Sequence, residues 1–407
     1  MGNAQTSQQT SQWLTLVGWG ENGTAGLTAA SREALDATEM IFGAQRHLAL
    51  LPPELSHKTA VWPVPFAEGL PELLARRGRN TAMLVSQDPF WFGAGSVLAE
   101  HLNPSEWVAL PAPSTFSLAA ARLGWALDKT PCLGLHAAPL SRLRPHLAPG
   151  QRVLALLRNG ESVSTLAAWL TERGFGPTEL TVLEALGGER ERIRHTRADD
   201  FALREVQHPV AVALEFAGDG PVLTGASGLD DSLFEHDGQL TKRPVRALTL
   251  SALAPQPGER LWDIGTGSGS IAIEWLLAHP ANHAIGFEAD PERLGRARRN
   301  ADQLGVDRLK LVQGEALDAL ADQPLPDAVF VGGGLSEALL TRLSRMLPTG
   351  TRLVANAVTL ESEALLSQWQ AKLGGDLLRV ELAAAAPLGS RRGWRSQYPI
   401  VQWRVQL

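Results

Sequence analysis

LWDIGTGSGSIAIEWLLAHPANHAIGFEAD, residues Leu261 to Asp290, decides the fold of the second half of the chain. A strand-like apolar run through Asp263 meets Gly265-Thr266-Gly267-Ser268-Gly269, an amphipathic helix follows, and a short strand, Ala284 to Phe287, delivers Glu288. Glycines at such a turn let backbone N–H groups approach a ligand and let the helix N-terminus face it. An acidic residue at the next strand end, 23 positions after Gly265, is placed to accept hydrogen bonds from both hydroxyls of a ribose. The stretch predicts a nucleoside pocket in an open α/β sheet. A dinucleotide fingerprint would read G-x-G-x-x-G/A; Ser270 stands at the third small position and the spacing is G-x-G-x-G, so no pyrophosphate is implied.

The form D-x-G-x-G-x-G resembles motif I of class I S-adenosylmethionine (SAM) methyltransferases. The resemblance implies that Gly265 to Gly269 pass the methionine moiety, Glu288 holds the ribose and Asp263 orients the loop or the methionine amine. Further strands, Leu309 to Val312, Ala328 to Val331 and Arg352 to Ala355, end at Gly314-Glu315-Ala316, Gly332-Gly333-Gly334 and Asn356. Glu315 and Ala316 would border the adenine. Nucleic-acid amino-methylases place a D/N-P-P-Y/F segment at the fourth strand end; the three glycines here offer space instead and suit a bulky acceptor. Asp290 reads as an N-cap before Pro291, and the alternation in Pro399 to Val405 reads as an antiparallel closing strand.

Composition sets the frame. A chain of 407 residues is too long for one compact core and suits two domains. The net charge of −6 gives no electrostatic reason to expect nucleic acid. One cysteine, Cys132, cannot form an internal disulfide, and no paired Cys/His spacing suggests a metal site, so a reducing cytoplasmic setting is the simplest expectation. No uninterrupted apolar run is long enough to span a membrane. The polar opening, residues 1–12, reads as a disordered tail.

The first half alternates strand and helix patterns, as a mostly parallel α/β sheet requires. Strand-like runs such as Leu14 to Val17, Thr81 to Ser86 and Trp107 to Leu110 end in loops rich in Gly and Pro, where open sheets bind ligands. The pieces Val17-Gly18-Trp19-Gly20, Phe42-Gly43-Ala44-Gln45-Arg46-His47, Ser86-Gln87-Asp88-Pro89 with Gly93, and Pro113-Ser114-Thr115-Phe116-Ser117 resemble the tetrapyrrole (class III) SAM methyltransferases. On that resemblance Gly18, Gly20, Asp88, Pro89, Gly93, Ser114 and Thr115 hold a cofactor. Two positions depart from the family: Glu21-Asn22 replaces a usual Pro, and Gln87, which resists a positive φ, replaces a usual Gly.

The second half resembles the precorrin methyltransferases that act at carbon 15 of the ring and decarboxylate a ring acetate. The residues concerned run from Asp237-Gly238 through Thr241-Lys242, and include Phe330 to Gly334 and Val354 to Glu361. Together the halves follow the order of the fused precorrin methyltransferases of cobalamin synthesis. The implied plan is a tail over 1–12, a tetrapyrrole methylase domain over 13–217 acting at carbon 5, a linker over 218–228, and a Rossmann-like class I domain over 229–407. Each domain takes one SAM. Thr241 joins the cofactor residues. Arg243, Arg246, Arg391, Arg392 and Arg395 are candidates to bind substrate carboxylates, beside Gly332, Gly333, Gly334 and Asn356. Trp394 could stack on the macrocycle, and His47 could donate to a carboxylate. No metal ligand set and no catalytic acid or base stands out. A homo-oligomer is expected, with neither nucleic acid nor membrane as partner. A SAM methyltransferase of another substrate such as tRNA, or a SAM-binding sensor, is the alternative.

Overall fold

The structure, a computed structural model, describes residues 12–407. Most of the tail expected over 1–12 lies outside those residues. Two compact units share the chain: residues through Ala138 with Ala148–Pro221, and Pro139–Leu147 with Val222–Leu407.

The first unit holds two five-stranded sheets, where the sequence suggested one. The first sheet contains β1 (Leu14–Trp19), β2 (Met40–Gly43), β3 (Thr59–Val61), β4 (Thr81–Ser86) and β5 (Trp107–Leu110). Their order is β3-β2-β4-β1-β5, all parallel, so every loop that resembles the family's lies at a strand C-terminal end. The second sheet contains β6 (Cys132–Gly134), β7 (Arg152–Leu157), β8 (Glu179–Glu184), β9 (Arg192–Arg197) and β10 (Val210–Glu215). In it only β6 and β7 run parallel; β10 lies antiparallel between β7 and β8, and β9 is an antiparallel edge. Between β1 and β2 the chain forms a 3-10 turn, Gly23–Gly26, and then a helix, Ala29–Ala37, because the Thr28 hydroxyl accepts from the Ser31 amide and starts the helix there.

The second unit is one seven-stranded sheet. Its parallel part is β11 (Arg260–Ile264), β12 (His283–Glu288), β13 (Lys310–Gln313), β14 (Ala328–Val331) and β15 (Arg352–Ala357). A hairpin of β17 (Ala383–Leu388) and β18 (Arg391–Ser396) separates β16 (Asp376–Val380) from β19 (Ile400–Gln406). The order is β13-β12-β11-β14-β15-β19-β16, with β19 antiparallel to both its neighbours. Successive strands add outward from β11 on one side and then on the other, which makes the end of β11 the topological switch point where such sheets bind ligands. The helix Ser270–Ala278 is buried over Ser270 to Leu276 rather than amphipathic. It is enclosed by β11, β12 and the helices Arg243–Leu253 and Pro291–Gln303. Asp290 caps the last of these through the Glu292 and Arg293 amides.

Candidate functional sites at the strand ends

The second unit carries a cleft of about 760 Å³, lined from the C-terminal ends of β11 to β15 and by residues 239–242. That volume suits a small-molecule site. Of the predicted residues, Thr241, Asp263, Gly265, Thr266, Gly267, Ser268, Glu288, Glu315, Ala316, Gly332, Gly333, Gly334 and Asn356 all line it. Gly269 does not; it opens the helix Ser270–Ala278 and packs against Ala297 and Ile273.

Gly265 has φ +70°, and a Cβ there would stand 2.6 Å from the Gly333 Cα, so two loop backbones touch across the switch point. Above Gly334, by contrast, a Cβ would meet nothing within 4 Å. Glu288 reaches back from β12: one carboxylate oxygen accepts from the Gly267 amide at 2.9 Å, the other from the Asp290 amide at 3.1 Å. The Asp263 Oδ2 accepts from the Thr266 hydroxyl at 2.7 Å and the Ala272 amide at 3.1 Å, which ties the glycine loop to the helix start. Its Oδ1 is buried without a hydrogen-bond partner among the described residues. Burial pushes the Asp263 carboxyl up to about 6, against the two hydrogen bonds that oppose the shift.

A strap over residues 237–242 borders the same cleft. Arg293 donates to Asp237 at 3.0 Å and to Gln239 at 2.8 Å, and Arg296 pairs with Asp237 at 3.1 Å. The Gln239 amide, with help from these arginines, holds the Asp237 carboxyl down at about 2. Asn356 is fixed by donating to the Thr249 hydroxyl at 2.9 Å and accepting from Gln402 at 3.0 Å.

The predicted arginines do not ring this cleft. Arg246 is fully buried, paired with Glu274 at 2.5 Å and Asp231 at 3.0 Å, and it donates to the Leu229 and Thr241 carbonyls. Arg243 projects from the first turn of its helix, 4.0 Å from Asp230. Arg391, Arg392 and Arg395 lie exposed on β18, outside the cleft, and Trp394 between them is 79% exposed. The cations that line the cleft are Lys242 and Arg293, which charge patterning alone did not single out.

The first unit has a narrower cleft of about 170 Å³ between the ends of its two sheets. Gly20 and Thr115 line it; Gly18, Asp88, Pro89, Gly93 and Ser114 do not. These five shape its walls. A Cβ on Gly18 would lie 2.1 Å from the Gln87 carbonyl oxygen. Asp88 accepts from the Phe90 amide at 2.9 Å, closing its own turn, and Ser114 caps its helix through the Ser117 amide at 3.0 Å. Gly93 and Pro89 pack on each other in the same loop. Gln87 does adopt a positive φ of 50°, and its side chain accepts from the Thr115 hydroxyl. His47 is buried away from the cleft, and burial beside Arg46 lowers its pKa to about 3, so it is a neutral core residue and not a donor cation. The residues that sequence reasoning passed over are Glu21, Arg46, His136 and His208, all of which line this cleft.

Two family models match the chain: one described as tetrapyrrole (corrin/porphyrin) methylases over residues 14–202, and one as a precorrin methyltransferase domain over 232–407. A Sinorhizobium protein named precorrin-6Y C(5,15)-methyltransferase (decarboxylating) is 49% identical over 397 residues, covering 97% of this chain and 96% of that protein. A Mycobacterium tuberculosis protein of the same name is 38% identical over 398 residues, covering 96% and 99%. The solved C-terminal domain of the Rhodobacter capsulatus protein of that name is 53% identical, covering 46% of this chain and all of that one, with a TM-score of 0.44. With likeness running through both clefts and nearly end to end, the chain belongs to the precorrin-6Y C(5,15)-methyltransferases (decarboxylating).

Proposed function

We propose that the chain uses SAM to methylate a precorrin at carbons 5 and 15 and decarboxylates the ring-C acetate to a methyl group, giving the precorrin-8 level of cobalamin synthesis. The first unit acts at carbon 5, and the second at carbon 15 with the decarboxylation. The observation that carries the reading is that 49% identity over 97% of the chain spans both clefts. Relatives covering nearly the whole chain are named without cobalt, whereas those named for cobalt-precorrin-6B match 41% of it or less, which favours a metal-free ring. A cytoplasmic setting agrees with the single cysteine, and no helix among the described residues is long and apolar enough to cross a membrane. A homo-oligomer is part of the same reading, on the family likeness alone.

One SAM per unit is proposed. The second cleft fits it: a buried carboxylate oxygen without a partner, an acidic strand end and a glycine turn at the switch point face one another. Glu288 accepts from the ribose, Asp263 faces the methionine amine, and Glu315 with Ala316 borders the adenine. Bound SAM supplies an electrophilic methyl group. The protein's part is placement and exclusion of water. Gly332, Gly333 and Gly334 leave room for the ring, while Lys242 and the fixed Asn356 amide meet its polar edge. The ring carbon is itself electron-rich, so the protein supplies no nucleophile. When the acetate loses its carboxylate as carbon dioxide, the carbon–carbon bonding pair passes into the conjugated ring, and a proton then converts the remaining methylene to a methyl group.

In the first cleft Gly20, Gln87 and Thr115 form the cofactor wall, with Gly18, Asp88, Pro89, Gly93 and Ser114 setting its shape. The test is incubation with methyl-¹³C SAM and precorrin. Two new methyl signals, two equivalents of S-adenosylhomocysteine and one of carbon dioxide are expected per ring. A single methyl signal, or none, refutes the reading. S-adenosylhomocysteine absent altogether would favour a sensor.

A further inference from the structure

The first cleft contains a charge cluster built from three strand ends. Glu21, directly after β1 and Gly20, is nearly enclosed, with its side chain 9% exposed. One of its oxygens accepts from Arg46 at 2.7 Å, and the other from Arg190 at 2.9 Å. Arg46, in the short helix Gln45–Leu48 after β2, also donates to the Ser86 hydroxyl at 2.7 Å at the end of β4. Glu21, Arg46 and Ser86 all line the cleft; Arg190 does not.

Two guanidinium groups share one carboxylate, so the cluster keeps a surplus positive charge. The other ionisable groups lining the cleft, His136 and His208, have pKa values lowered by burial and add no negative charge. Burial also lowers the Arg46 pKa, a cost that Glu21 partly offsets. A planar guanidinium already anchored on two sides, with 37% of its side chain open, is preorganised for a second carboxylate. The glutamate that supplies the anchor belongs to the Glu21-Asn22 pair that stands where the tetrapyrrole methylases usually have proline.

We propose that Arg46 binds a peripheral carboxylate of the tetrapyrrole in the first cleft, and that Glu21 is the positioning residue that holds it there. The inference rests on the proposed reaction at carbon 5. Substrate entry converts two cations on one carboxylate into two cations on two carboxylates. This places an acid-bearing ring edge over the ends of β1, β2 and β4, and gives the first unit a carboxylate readout of its own.

The test uses the full-length chain, methyl-¹³C SAM and precorrin, with initial rates read separately from the two methyl signals. Arg46→Ala should raise KM for methylation at carbon 5 about 10- to 100-fold, the usual worth of a charged hydrogen-bond partner. At saturating precorrin both signals should return to the wild-type rate. Arg46→Lys, which keeps the charge and loses the fork, should recover only part of the affinity. Glu21→Gln keeps the shape but turns one of the two acceptors into a donor that faces a guanidinium. Arg46 then loses part of its anchor and KM should rise, by less than in Arg46→Ala, with the rate at saturating precorrin unchanged. An unchanged KM in Arg46→Ala, a loss that persists at saturating precorrin, or a KM that fails to rise in Glu21→Gln overturns the proposal. A wild-type chain with fewer than two methyl signals overturns the underlying reading instead, so the two failures are told apart.

Discussion

Replacing Asp263 with asparagine separates what this carboxylate costs the fold from what it gives the cleft. Its pKa is 3.8 in an open chain and is pushed up to about 6 by burial, a gap worth about 3 kcal/mol. The sign follows from where the proton sits. Below pH 3.8 the group is protonated in folded and unfolded chains alike and costs nothing. As pH rises toward 6 the unfolded chain releases the proton while the folded chain keeps it, so stability is lost through that window and stays lost above it. Asparagine keeps an acceptor for Thr266 and Ala272 and carries no charge. Asp263→Asn should therefore exceed the wild type in local stability by about 1.5 kcal/mol at pH 5 and about 3 kcal/mol at pH 7.5. Any pH-independent cost of an unpaired amide shifts both values and leaves their difference. Two units in one chain make global melting ambiguous. Hydrogen exchange at β11 amides, compared between variant and wild type at each pH, reads the second unit alone. A stability difference that does not grow between pH 5 and 7.5 refutes the buried, half-satisfied carboxylate. The same variant should bind SAM more weakly, because Asp263 lines the cleft and one of its oxygens has no internal partner.

Other perturbations test the frame around that residue. Glu288→Ala should weaken SAM binding to the second unit by about 1–3 kcal/mol, read by calorimetry, and should also loosen the Gly267 amide that the carboxylate holds. Gly265→Ala must place a Cβ 2.6 Å from Gly333 at a positive φ; a loss above about 2 kcal/mol and no measurable SAM binding are expected by hydrogen exchange and calorimetry. Arg246→Met should cost about 3–5 kcal/mol because it strands buried Glu274. Adding Glu274→Met should recover only part of that, since Glu274 also accepts from the Gly228 and Leu229 amides.

What the sequence revealed was periodicity and punctuation. The parallel strands of the second unit fall within a residue or two of their apolar runs, and the glycines that end them are where the cleft lies. Strand direction left no such trace. The run Val210–Glu215 reads equally well either way, yet it enters its sheet antiparallel, between β7 and β8. β9, with the sequence RIRHTR, alternates between half-buried and exposed along a sheet edge, so it carries no apolar stripe to detect. The hairpin of β17 and β18 is exposed on nearly every residue and is equally silent. Gln87 was legible as a conflict. Its positive φ is held by Thr115, a partner 28 positions away.

The arginines expose the deeper limit. A positive charge must be either solvated or paired, and sequence alone does not say which. Arg243 and Arg246 sit three positions apart at one helix start, yet one is open to solvent and the other wholly enclosed. The carboxylates that enclose Arg246 are 15 and 28 positions away, beyond any local pattern. Its enclosure still bears on the cleft. Arg246 donates its side chain to the Thr241 carbonyl and its amide to the Lys242 carbonyl, fixing the two residues that carry the strap onto the cleft wall. On the proposed reading, Arg246 acts on substrate through the placement of Lys242 and not by touching a substrate carboxylate. In Arg246→Met, then, affinity for precorrin at the second cleft should fall along with stability. In Arg243→Met, where the side chain makes only a long, exposed contact to Asp230, neither should change.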